Sequence, residues 1–370
     1  MPAPPPGQGR IEGFSDIRLS VEQAEASLEA AADRLSLPRS GWASGRFDML
    51  AVSGGAAGGA YGAGALVGLT EAGARPEFAL VTGVSTGALI APFAFLGPSW
   101  DERLADAYVG GHAADLLSLR RLASTFTGGL FQGEALDALI HPFVDEALID
   151  AVAAEHARGR RLLVATTDLD SQRSCIWDMG AIAAHGGEPA VALFREVLAA
   201  SASLPGLFPP RRIPCEFEGG KFEEMHVDGG VAAPLFLMPE GLLRWNRLGR
   251  RLQRGRVHVL VNTVLEPAPR TTAPNVAAVL SRSFDAMLRF SYRQALGTAT
   301  TFCAAQGLPI SVASIPDAPD QGGMLSFDTA TMQRLFDAAR ERARAGELWR
   351  SPVAERQGLQ GLMDRLRPRG

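Results

Sequence analysis

Short apolar runs, punctuated by glycine, proline and polar turns, recur along the chain and mostly alternate with stretches of helical periodicity. DMLAVS (48–53), PEFALVTGVS (76–85), RRLLVATTDLD (160–170), FEEMHVDGG (222–230), RVHVLVNTV (256–264) and PISVASIP (309–316) predict strands, and SCIWDMG (174–180) reads as the hairpin partner of the third. Helical patterns cover approximately Ala60 to Ala72, Asn275 to Leu296 and Thr329 to Ala345. Another, SVEQAEASLEAAADRL, opens on the capping-box pair Ser20 and Gln23. Strands alternating with helices predict an α/β fold with a mostly parallel central sheet covered on both faces. The proline- and glycine-rich start, Met1 to Phe14, reads as mobile, so the expected division is an N-terminal extension (1–44), a main domain (45–350) and a C-terminal tail (351–370).

Composition narrows the function classes. With 370 residues, 46% of them hydrophobic, the chain can bury a substantial core. A net charge of -4 and a pI near 5.9 give no global attraction to a polyanion, so nucleic acid is not the expected partner. Cys175, Cys215 and Cys303 are scattered and form no CxxC pair, which argues against a disulfide framework or a zinc site and for a reducing compartment. MPAPPPGQGRIEGF has no apolar core of signal-peptide type, so a cytoplasmic location is expected.

The uncharged stretch AVSGGAAGGAYGAGALVGL (51–69) has nearly the length of a membrane span, but each glycine in a helix interior costs roughly 1 kcal/mol relative to alanine. A strand to Ser53, a loop over Gly54 to Gly59 and a helix thereafter is the simpler parse. Such a turn aims bare amides at one point, beside the positive end of a helix, and so suits an anion. A nucleotide phosphate fits poorly. There is no GK[ST] ending, and Ala56 spoils the GxGxxG match. A transient oxyanion fits if a nucleophile is near.

ALVTGVSTGALIAP supplies one. Gly83, Ser85 and Gly87 form GxSxG between an apolar strand and a helix, where flanking glycines permit the sharp turn that exposes a serine hydroxyl. A serine needs a proton acceptor. None of His112, His141, His156, His185 and His258 is a clear candidate, and His226, on the Asp228 strand, is at most a supporting residue. Asp228 is the better base, because it ends a strand and Gly229 and Gly230 permit a turn that presents its carboxylate. Its ordinary pKa near 4 makes it weak unless burial raises that value, and nearby helix N-termini oppose the rise.

Taken in order, SGGAAGGAYGAG, GVSTG, ASASLPGLFPP and DGG resemble the patatin-like phospholipase family over approximately Phe47 to Val264. The resemblance implies an α/β/α sandwich and a metal-independent Ser-Asp dyad, without cofactor, that cleaves carboxylic esters of lipids through an acyl-enzyme. By position, Ser85 is then the nucleophile, Asp228 the base, and Gly54, Gly55 and Ala56 the oxyanion hole, with Gly58 and Gly59 completing the loop. Two departures stand out: the family pattern commonly has a third glycine and, two positions on, an arginine, where this chain has Ala56 and Gly58. If position 56 needs a positive φ, alanine costs roughly 1 to 2 kcal/mol there.

The rival readings are an acyltransferase or thioesterase on the same site, a Ser-His-Asp α/β-hydrolase, and a catalytically weak nucleotide- or anion-binding module. For peripheral membrane contact the sequence offers the arginine cluster Arg244 to Arg256 and the apolar loop Phe126 to Gly133.

Overall fold

The seven expected strands form, and two more join them in one nine-stranded sheet. The computed structural model describes residues 9–19, 47–112, 134–237, 255–266, 269, 271–316 and 327–352. In chain order, β1 (Arg18–Leu19) and β2 (Phe47–Val52) precede α1 (Gly59–Glu71), β3 (Phe78–Val84), α2 (Thr86–Leu96) and α3 (Asp101–Val109). Next come α4 (Glu134–Ile140), α5 (Glu146–Ala157), β4 (Arg161–Asp168), β5 (Arg173–Asp178), α6 (Met179–His185) and α7 (Gly187–Ala202). The chain continues through β6 (Arg211–Phe217), β7 (Gly220–Asp228), β8 (Gly255–Val264), α8 (Val276–Gln306), β9 (Ile310–Ile315) and α9 (Thr329–Arg344).

The sheet runs β1-β5-β4-β3-β2-β8-β9, with β7 paired to the end of β4 and β6 to β7. β4, β3, β2, β8 and β9 are mutually parallel; on the β4 side β5 and β7 each pair antiparallel with β4, and β1 and β6 pair antiparallel with β5 and β7 respectively. Alternation assigns the faces. Leu50 and Val52 of β2 join the larger core with α1, α2, α7 and α9, whereas Met49 and Ala51 join Val257, Val259 and Val261 under α8. Helices therefore cover both faces, as the pattern predicts.

The glycine-rich stretch 51–69 is a buried strand, a turn and a buried helix. Small residues on α1 let α9 approach closely: a Cβ on Gly64 would stand 2.1 Å from the Phe336 carbonyl oxygen. Among the described residues, no helix is long and apolar enough to cross a membrane.

Three features differ from expectation. The edge strand β6 carries Pro214 and two arginines and so lacks a strand's usual composition, yet Ile213 and Cys215 point inward and Pro214 outward. The long helix α8 runs through Gly297, where the sequence pattern suggests a stop, and ends at Gly307 in the left-handed conformation (φ 67). Residues 9–19 are packed, against the expectation of mobility up to Phe14. Ile11 and Ile17 are buried, Arg10 pairs with Glu216 of β6, and the Arg18 guanidinium lies 4.2 Å over the Trp177 ring. The helix expected from Ser20, the loop Phe126 to Gly133, the arginine cluster up to residue 254 and the tail beyond 352 lie outside the described residues.

Candidate active site

Between the end of β3 at Val84 and the start of α2 at Thr86, Ser85 alone makes the turn, at φ 57 and ψ -130. Such a backbone is costly for a side-chain-bearing residue and persists only when its surroundings hold it. They do so here through hydrogen bonds: the Ser85 amide donates to Ser201 Oγ (3.0 Å), whose hydroxyl donates to the Ala165 carbonyl (2.7 Å). The Ser85 carbonyl accepts from the Ala88 amide at 2.8 Å. Gly83 lies within β3, and Gly87, in the first turn of α2, packs against the end of β2.

Antiparallel pairing of β7 with β4 sets Asp228 opposite Thr166 and brings its carboxylate to the serine. Ser85 Oγ donates to Asp228 Oδ2 at 2.6 Å. The other oxygen, Oδ1, accepts from the Gly230 amide at 2.7 Å, in a short 3-10 turn opened by Gly229 and Gly230. The Asp228 amide donates to the Ser203 carbonyl (2.9 Å), and Thr167 Oγ1 donates to the Asp228 carbonyl (3.0 Å). Complete burial lifts the carboxyl to a pKa of about 6, and the bonds from Ser85 and Gly230 pull the other way without prevailing.

The glycine loop faces this pair. Gly54 leads into Gly55 at φ 151, then Ala56 at φ 50 opens a 3-10 turn through Gly58, and Gly59 begins α1. Ala56 thus holds the positive φ that makes alanine costly. The amides of Gly55 and Ala56 precede the first hydrogen bond of the turn, Gly58 N to Gly55 O at 2.9 Å, so the turn itself does not use them. Asn262 of β8 anchors the loop: its side-chain Nδ2 donates to the Ser53 carbonyl (2.8 Å) and its amide to Ser53 Oγ (3.0 Å). A Cβ on Gly58 would stand 2.1 Å from the Asn262 carbonyl oxygen, so this loop has no room for an arginine at that position.

Ser85, Asp228, Gly55, Ala56 and Gly230 line a cavity of about 70 Å³ whose remaining wall is largely apolar, including Leu89, Leu136, Leu139, Leu207, Phe208 and Leu288. None of the six histidines lines it. His226 is fully buried away from Ser85, its Nδ1 2.9 Å from Thr166 Oγ1 and its Nε2 3.1 Å from Glu224 Oε2.

Two lining or supporting residues escape the sequence reading. Ser201 lies within ASASLPGLFPP, but its bond to the Ser85 amide depends on how α7 meets the turn. Tyr292 comes from α8, on the opposite face of the sheet from α7, and its four-residue spacing from Leu288 is the single sequence sign of an inward stripe.

A central parallel sheet, a serine turning from strand to helix beside a buried carboxylate, and a glycine-rich loop define an α/β protein with a sharp strand–serine–helix turn. The chain belongs to the patatin-like phospholipase family, whose sequence profile matches residues 50–239, just over half of its length. Lipid acyl hydrolysis is the activity that this membership assigns. No curated protein sequence matches the chain. Among solved structures it is similar to VipD from Legionella pneumophila (12% identity, 82% of this chain and 67% of that one, TM-score 0.36). It is also similar to human GIVD cytosolic phospholipase A2 (13% identity, TM-score 0.35), covering 85% of this chain and spanning about half, 53%, of that one. These likenesses are too distant to bear on substrate.

Proposed function

We propose that the protein hydrolyses carboxylic esters of lipids through a Ser85–Asp228 dyad, within a catalytic unit of residues 45–350. The observation that carries this reading is the 2.6 Å bond from Ser85 Oγ to Asp228 Oδ2 at a cavity with apolar walls. As Oγ attacks the acyl carbonyl carbon, its proton passes to Asp228 Oδ2 and the carbonyl oxygen gains the negative charge. The amides of Gly55 and Ala56 are the donors proposed to stabilise that oxyanion, with Gly54 giving the chain its approach. Collapse of the tetrahedral intermediate breaks the ester C–O bond, and Asp228 returns the proton to the departing alcohol. Water then attacks the acyl-enzyme, Asp228 takes its proton and passes it to Ser85, and the fatty acid leaves.

A carboxyl titrating near 6 is a stronger base than an ordinary aspartate and remains ionised at neutral pH. The apolar wall suits an acyl chain, which places the lipid tail against Leu136, Leu139 and Leu207. The test is hydrolysis of p-nitrophenyl acyl esters together with labelling by a fluorophosphonate. Ser85→Ala is expected to abolish labelling and lower kcat/KM by about 10³-fold or more. A Ser85→Ala protein hydrolysing at the wild-type rate overturns the proposal.

A further inference from the structure

The position that a Cβ on Gly54 would take lies 2.8 Å from the Tyr292 hydroxyl oxygen, 2.9 Å from Ser85 Cβ and 3.5 Å from Ser85 Oγ. The phenol and the serine therefore face one another across the bare edge of Gly54, in the same cavity. Tyr292 is 3% exposed, and among the described residues its hydroxyl makes no hydrogen bond. An unpartnered hydroxyl that lines the cavity beside the serine is placed to donate to a ligand bound there. Burial, reinforced by the charge of Asp228, pushes its pKa far above the usual phenol value. The group is accordingly a neutral O–H donor throughout the working pH range.

We infer that Tyr292 is a catalytic residue that donates its hydroxyl hydrogen to the carbonyl oxygen of the bound ester, a bond that tightens as charge develops there. This rests on the Ser85–Asp228 reading. It adds a third donor, from the α8 side of the sheet, to the amides of Gly55 and Ala56. No proton is transferred from the phenol.

The test is Tyr292→Phe, which keeps the ring and deletes only the unpartnered oxygen. The expected result is a fall in kcat on the order of 100-fold with KM little changed, while the melting temperature stays level or rises. A folded Tyr292→Phe enzyme within twofold of wild-type kcat overturns the inference, as does a loss of activity that merely follows a lowered melting temperature. Fluorophosphonate labelling of Ser85 in the wild type separates the two readings. If it labels and Tyr292→Phe is fully active, only the role of Tyr292 falls; if the wild type neither labels nor turns over, both fall.

The outer face of α8 independently carries a second proposal. Seven large apolar side chains are exposed among the described residues, and five of them, Val276, Val279, Leu280, Met287 and Phe290, lie on this helix with exposures from 48 to 75%. Their spacing returns them to one side of the helix, turned away from the buried Leu288 and Tyr292. Arg282, Arg289 and Arg293 recur along one edge of that stripe; Arg282 and Arg289 pair with Asp285, the sole acidic residue of the helix (3.6 and 2.8 Å), so the edge keeps a net positive charge. Because α8 follows the C-terminal end of β8, parallel to β3, its first half stands at the same end of the sheet as Ser85.

An apolar stripe about 20 Å long with a basic edge is the pattern of a helix lying in a lipid interface. We propose that residues 276–290 dock on an anionic phospholipid bilayer. The test is sedimentation with vesicles of phosphatidylcholine alone or mixed with phosphatidylserine. Wild type is expected to bind the mixed vesicles at least tenfold more tightly. The triple variant Leu280→Ser, Met287→Ser, Phe290→Ser is expected to lose that binding while hydrolysing a soluble short-chain ester normally, which also shows that it folds. Equal binding by the variant, or a wild-type stripe occupied by a second copy of the chain in light scattering with no vesicle binding, overturns the proposal.

Discussion

At the scale of single residues, the proposed dyad costs stability. Asp228 is wholly buried, with one hydroxyl and one amide donating to its carboxylate, and its pKa rises to about 6 because two hydrogen bonds do not replace full hydration. In the proposed dyad the base must be ionised to accept the Ser85 proton, so kcat/KM is expected to climb as pH rises towards about 6 and to level off above it, which a pH profile with a neutral ester substrate checks. Stability runs the opposite way. The carboxyl binds its proton more tightly folded than unfolded, so its stabilising contribution is complete below about pH 4 and is lost as pH rises through about 6. Asp228→Asn is therefore expected to be inactive yet more resistant to urea at pH 8, by roughly 1 to 3 kcal/mol. An asparagine variant less stable than wild type at pH 8 contradicts this account of the shift. Ala56 makes a smaller trade: at φ 50 it is strained, and Ala56→Gly is expected to raise stability by up to about 1 kcal/mol, after allowing for the extra freedom of glycine in the unfolded chain.

Secondary elements hold the nucleophile turn from its far side. Arg160, between α5 and β4, is buried and donates its Nε to the Phe78 carbonyl at the start of β3 (2.9 Å). Its other nitrogens reach the Phe95 carbonyl near the end of α2 and Glu155 on α5, the latter at 2.9 Å. One guanidinium thus gathers the outer ends of the strand and helix whose inner ends meet at Ser85. Arg160→Met fills the space but leaves two carbonyls without their donor and Glu155 with Arg158 alone, with an expected cost of about 2 to 4 kcal/mol. Because the clamp is remote from the cavity, kcat per folded molecule is expected to stay near wild type well below the melting temperature. Thermal unfolding alongside active-site titration separates the two effects, and a fall in kcat without loss of stability would sink this division of labour.

Across the whole molecule, what was readable in the sequence depended on how local the signal is. The glycine loop, GVSTG and DGG each encode their turn within a few residues, so Ser85, Asp228 and the loop are legible, and apolar strands alternating with helices from β2 to β4 predict a sheet covered on both faces. Tyr292 and Ser201 were not legible, because each acquires its place from an element crossing that no short window records. Nor was the anchoring of residues 9–19, whose composition suggests mobility but whose Arg18 finds Glu224 more than two hundred positions away, with Nη2 and Oε2 2.7 Å apart. Burial would raise the Glu224 pKa, but the hydrogen bond with His226 and the charge and bond of Arg18 hold it down to about 2. A carboxylate depressed in this way stabilises the fold above about pH 4 and ceases to do so as pH falls towards 2. Glu224→Gln leaves the Arg18 charge buried against Trp177 without its counter-ion, which is expected to cost about 3 kcal/mol at neutral pH. The variant is also expected to flatten the acid limb of a stability-against-pH curve and to make residues 9–19 more readily cut by protease. With Ser85 and Asp228 untouched, its ester hydrolysis is expected to persist, so a variant that remains protease-resistant through residues 9–19 would show that the segment is held by Ile11 and Ile17 rather than by charge.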